Sequence, residues 1–181
     1  MTEAANLLYP LSEFYAQDQV GLPAATTIEP AQLPEPYRTL LVHESDMTRT
    51  LEKHHGQPLR LRLLKRQLQG DEYMRQVLLV TEHGKKVVEF GAIKIHLQYF
   101  PSAARILVLQ GKLPLGGILN EAKITYLSQP IAYLQVTPDF IIQRALGLKD
   151  STPLYGRRNV LIDASQQILA DILELLPPDA I

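Results

Sequence analysis

The chain has 181 residues, 46% of them apolar and 20% charged, which suits one folded domain with a sizeable core. Lys and Arg number 18 and Asp and Glu 19, for a formal charge of -1, so the broad attraction that draws a basic protein to nucleic-acid backbone is missing. There is no cysteine, which excludes disulfides, thiolate catalysis, iron–sulfur clusters and cysteine-bound zinc.

Residues Asn6 to Ala16 carry Leu7, Leu8, Leu11, Phe14 and Tyr15 at spacings that place them on one side of a helix, with Pro10 in its first turn. From Val20 to Pro36 the prolines at 23, 30, 34 and 36 interrupt regular structure. This stretch reads as an ordered arm packed on the domain, with a disordered tether as the alternative. A second helix is expected from Ser45 to His55, started by Ser45 or Asp46 and stopped by Gly56.

Three strands follow. Leu59, Leu61 and Leu63 alternate with Arg60, Arg62 and Leu64, Gly70-Asp71 marks a turn, and Tyr73 to Val80 reads as the next strand. Glu82-His83-Gly84-Lys85 connects it to a strand from Val87 to Leu97, so short turns join neighbours in an antiparallel sheet. Ser102 to Gln110 permits a helix, although its run Ile106 to Leu109 is ambiguous on pattern alone; Gly111 breaks it, Lys112 to Leu119 begins a tight turn and a helical turn, and Pro138 to Leu146 reads as a short helix. Ala122 to Gln135 is mixed, and Asn159 to Asp163 is a strand. Ile168 to Leu176 permits an amphipathic helix or a strand, and local sequence does not decide between them. The predicted class is a single α+β domain.

Two charged residues stand out against apolar rows. On a regular strand Tyr73, Arg75, Val77 and Leu79 share a face. A guanidinium there either clamps a carboxylate ligand or is held in an internal ion pair. Glu174 shares a face with Ile172 and Leu176 if its segment is a strand, where burial favours a proton-exchanging carboxyl. If the segment is a helix, Glu174 and Asp171 lie on a solvated flank. Gly116-Gly117 exposes backbone amides, and Gly91 within a strand admits either a ligand or a bulge. The five histidines show no metal-ligand spacing, and no Gly-x-Ser-x-Gly pattern is present. No metal or cofactor is expected.

The order of these signals resembles the chorismate lyase-like superfamily over about Tyr37 to Pro178. The resemblance is carried by Leu40-Leu41-Val42-His43 before Met47-Thr48, Arg75-Gln76-Val77-Leu78-Leu79, Phe90-Gly91, Pro114-Leu115-Gly116-x-x-Leu119, Tyr155-Gly156-Arg157-Arg158, and Glu174 before Pro177-Pro178. It implies a six-stranded antiparallel sheet whose internal ligand pocket lies beneath two helix-turn-helix flaps. It makes residues 37–181 the lyase-like domain and residues 1–36 a packed N-terminal helix and arm, and it turns the terminal segment into a strand.

The implied activity is cleavage of chorismate to 4-hydroxybenzoate and pyruvate, feeding quinone synthesis or another aromatic pathway. In that reading Arg75 and Glu174 are catalytic, while Met47, Gly91, Leu115 and Arg157 bind substrate. The family's arginine after the pocket glycine is Ala92 here, so a basic contact to the pyruvyl carboxylate is either lost or supplied by another residue such as Arg157 or Lys94. The alternative is a noncatalytic aromatic-acid-binding protein, or a lyase-like enzyme acting on a related substrate. The expected partners are chorismate and its aromatic product, with no nucleic acid and no membrane. The first residues lack the basic start of a signal peptide, and no apolar run is long enough to span a bilayer, which makes the cytoplasm the expected location.

Overall fold

The computed structural model describes residues 2–83 and 85–178. Gly84, in the expected Glu82–Lys85 turn, lies outside the described residues. Seven strands form one antiparallel sheet in the order β1-β5-β6-β7-β4-β3-β2. They are β1 (Ala25–Thr27), β2 (Leu59–Gln69), β3 (Glu72–Thr81), β4 (Val87–His96), β5 (Tyr126–Val136), β6 (Leu154–Asp163) and β7 (Ile168–Leu176). The helices are α1 (Glu3–Leu7), α2 (Leu11–Gln17), α3 (Tyr37–Leu41), α4 (Met47–His55), α5 (Ser102–Gln110), α6 (Leu115–Glu121) and α7 (Phe140–Leu146). The fold is the expected α+β domain with one more strand than the six predicted. The addition is β1, which lies in the proline-rich stretch and pairs Ala25 to Thr27 with Val136 to Leu134 at the edge of β5.

The expected N-terminal helix is two helices, because Pro10 cannot continue the first and instead stands at the N-cap of the second. Asp46 starts α4 by accepting from the Arg49 amide at 3.3 Å, and Gly56 ends it at φ 64°. The ambiguous terminal segment is a central strand, paired with β4 on one side and β6 on the other. Its leucines and alanine favour helix locally, but two neighbouring strands satisfy its amides and carbonyls while both faces are covered.

One face of the sheet packs α1, α2 and α7 around Leu8, Leu11, Tyr15, Phe90, Ile142 and Leu173. The other carries two helical flaps. The α5–α6 pair packs through Phe100, Val108 and Ile118, and the α3–α4 pair through Tyr37, Leu40 and Leu51. Among the described residues, no helix is long and apolar enough to cross a membrane.

Candidate functional site

Strand pleat and register bring side chains from four strands to one face beneath the flaps. Arg75 on β3 lies opposite Ile93 on β4, Val77 opposite Gly91, and Leu79 opposite Glu89. Gly91 lies opposite Glu174 on β7, which in turn faces Arg157 on β6. Above them the starts of α4 and α6 meet so closely that a Cβ on Gly116 would overlap the Asp46 carboxylate. Together these elements enclose a cavity of about 630 Å³, its mouth included. All six residues singled out by sequence line it: Met47, Arg75, Gly91, Leu115, Arg157 and Glu174.

Arg75 is 2% exposed. Its Nη2 donates to the Leu113 carbonyl at 3.0 Å, while Nε and Nη1 have no partner among the described residues. Burial lowers its pKa, which Tyr73 beside it partly offsets. Among the described residues, the internal ion pair that would make this arginine structural is not formed.

Arg157 differs. Its Nε donates to Glu174 and its Nη1 donates to the carbonyls of Leu41, at 3.1 Å, and His43, at 2.8 Å. The pair is buried, and it ties the sheet to the loop that leads into α4. His43 sits against this arginine, and burial, followed by the Arg157 charge, lowers the pKa of its ring. Its Nε2 meets the Leu40 carbonyl at 2.8 Å while Nδ1 accepts from the Ser45 amide at 3.2 Å, which fits the neutral ring with its proton on Nε2.

Two cavity residues escaped the sequence reading. Glu89 is 5% exposed, and its Oε2 has no hydrogen-bond partner. Burial, then the nearby Glu174 charge, pushes its pKa well above the ordinary carboxylate range against the pull of Arg157. The alternation that flagged Arg75 also puts Glu89 on the same face as Gly91, two residues away, so the signal was present. Asn159 lies opposite Ile172, donates to Ser128 Oγ at 2.9 Å and leaves its Oδ1 unpartnered.

Asp171, Lys94 and Arg158 belong to the reverse face. Lys94 is held by Glu72 at 2.7 Å and Glu13 at 3.1 Å, and Arg158 donates to Asn6 Oδ1 at 2.9 Å. Asp171 lies 3.4 Å from His96 and 3.7 Å from Arg158, so Glu174 is the carboxylate of β7 that faces the cavity. Among the described residues, no three of His, Asp and Glu gather in a way that could hold a metal ion.

Comparison with protein-family models and with curated proteins gives no significant match. Solved structures do match. The effector domain of PhnF from Mycobacterium smegmatis superposes with a TM-score of 0.59 at 16% identity, over 77% of this chain and 92% of that one. Longer PhnF coordinates give 0.59 at 15% identity, over 77% and 67%. The ligand-binding domain of a protein described as a GntR-family transcriptional regulator, from Bordetella bronchiseptica, gives 0.53 at 14% identity, over 67% and 86%. At these identities the likeness is one of fold. It agrees with the chorismate lyase-like resemblance without singling that superfamily out.

The expectation of a chorismate-cleaving enzyme is corrected by these neighbours, which are effector and ligand-binding domains. The site gives a physical reason. Ala92 is fully buried and supplies no charge. Of the two residues that could replace the missing arginine, Lys94 is engaged on the reverse face, and Arg157 commits its Nε to Glu174 and its Nη1 to two carbonyls. The lyase, its aromatic product and the quinone pathway fall together. The exclusion of nucleic acid is corrected as well. It rested on the net charge of this chain, which is no ground for it when the fold is shared with the ligand-binding domain of a protein described as a transcriptional regulator.

Proposed function

We infer that this domain is a noncatalytic binding module for a small carboxylate-bearing ligand of the aromatic-acid class, acting as the effector-sensing part of a regulator. Arg75 is the observation that carries this reading: a buried guanidinium with two donor nitrogens that have neither partner nor counter-charge among the described residues. Leaving such a group unpaired is costly, and a bidentate carboxylate matches its geometry. The amides of Met47 and Leu115, at the starts of the two flap helices, add donors to the same anion. Gly91 lets a flat ring approach the sheet, and the Glu174–Arg157 pair closes the far end. Residues 37–181 form the binding unit and residues 1–36 its cover. Any link to nucleic acid runs through a DNA-reading module outside this domain.

Calorimetric titration with benzoate and 4-hydroxybenzoate tests the reading. Binding by the natural chain that is lost in Arg75→Gln, with no pyruvate released from chorismate, is the expected result. Titrations that are flat for both acids, or unchanged by Arg75→Gln, would overturn it.

A further inference from the structure

Two carboxyl groups meet at the end of the cavity away from Arg75, and one guanidinium serves them. Glu174 faces Gly91 across the β4–β7 ladder. Because Gly91 has no side chain, Glu89 can lay its head across the strand, with Oε1 3.0 Å from where a Cβ would stand. Arg157 is already committed, with Nε to Glu174 and Nη1 to the Leu41 and His43 carbonyls. Glu89 Oε2 is therefore buried without a donor. Asp46 adds a further negative charge to its surroundings.

The unmatched donors and the unmatched acceptor thus stand at opposite ends of one cavity. Glu89 lies opposite Leu79, four residues along β3 from Arg75, a separation of about 13 Å along the strand that the lean of Glu89 over Gly91 shortens. Between the two ends the floor is Val77, Gly91, Ile93 and Ile172, which offers no charge. A ligand that meets only Arg75 leaves the Glu89 acceptor stranded. A hydroxyl can exchange one hydrogen bond with it but brings no charge that would let a second carboxylate form beside Glu174. An ammonium group supplies three donors together with the positive charge that lets Glu89 ionise.

We propose that the ligand is dipolar, with a carboxylate held by Arg75 and a protonated primary amine held by Glu89 across a spacer about one ring long. The proposal rests on the carboxylate reading of Arg75 given above. Burial beside Glu174 favours a proton on Glu89 in the empty cavity, and the arriving ammonium displaces it, so binding releases protons.

The test is calorimetric titration of the full chain near neutral pH with 4-(aminomethyl)benzoate, 4-(hydroxymethyl)benzoate and 4-methylbenzoate. Each is run in two buffers of different ionisation enthalpy, so that proton release is counted directly. The amine is expected to bind about tenfold or more tighter than the other two, with proton release confined to it. Both features should vanish in Glu89→Gln, whose folding is checked by its thermal transition. If all three acids bind alike and no proton is released, the amine is overturned and the carboxylate reading stands. If none binds, the carboxylate reading fails and takes this proposal with it. The proton count in the natural chain decides the matter even if Glu89→Gln does not fold.

Discussion

Arg75 and Arg157 stand on the same face of the sheet, separated by β7 and β4, and each donates into the loop of a different flap. Arg75 reaches the Leu113 carbonyl between α5 and α6, and Arg157 reaches the Leu41 and His43 carbonyls between α3 and α4. Their electrostatic situations are opposite. Arg157 has Glu174, while Arg75 has no acid among the described residues.

Replacing the unpaired arginine should therefore stabilise the empty protein. Arg75→Leu removes a desolvated charge from an apolar row and is expected to gain about 1–3 kcal/mol, a rise of about 2–4 °C in melting temperature per kcal/mol for a chain of this size. Carboxylate binding should be lost in the same variant. Thermal unfolding beside calorimetry checks both, and a variant that melts below the natural protein would count against the ligand role of Arg75.

Arg157→Ala should behave in the opposite way. It strands Glu174 in a buried setting and releases two loop carbonyls, at an expected cost of about 3–5 kcal/mol. Urea unfolding measures the loss, and a change of less than about 1 kcal/mol would show that the pair is not holding the flap.

Glu89 predicts a pH dependence. Burial, with Glu174 beside it, raises its folded pKa above the ordinary 4.5. The stability it contributes is complete below that unfolded value and is lost as pH rises through the folded one. Glu89→Gln removes this loss, so the variant's melting advantage should widen steadily as pH climbs from about 5. His43, lowered by burial and by Arg157, favours protonation of the unfolded chain below about 6.5. Both proteins share that effect, and it cancels in their difference. A difference that stays constant with pH would refute the assignment.

Two glycines should separate cleanly. A Cβ on Gly156 would strike the Glu174 carbonyl in the neighbouring strand, whereas one on Gly91 meets the mobile end of Glu89 at 3.0 Å and a Val77 methyl at 3.2 Å. Gly156→Ala must shift backbone and is expected to cost about 1–3 kcal/mol. Gly91→Ala should cost less and act mainly by pushing the Glu89 carboxyl aside. Denaturant midpoints rank the two.

Strong local patterns in the sequence were read correctly. The alternation of Leu59, Leu61 and Leu63, the Asp46 and Gly56 boundaries of α4 and the Gly111 stop of α5 each depend on neighbouring residues. What required distant partners was harder to read. β1 is a strand only because β5 offers an open edge, and β7 overrides its helix formers because β4 and β6 flank it. The same divide runs through the site. Alternation put Arg75 and Glu174 on a pocket face, yet it could not show that Arg157 would be consumed by Glu174 and the loop before α4. Glu89 was missed because Gly91 was read only for the space it leaves to a ligand, and not also for the side chain that leans into part of that space.

The floor and roof of the cavity differ in mechanical character. The floor is a continuous ladder, braced from behind by Lys94 between Glu13 and Glu72. The roof consists of helices of five to nine residues, too short to persist without packing. Each flap's connecting loop is latched to the floor through an arginine. An occupant competing for one latch and crowding the other reports its presence upward, through segments whose opening costs least. Amide exchange should therefore slow across residues 37–55 and 102–121 when the cavity fills, leaving the sheet almost silent.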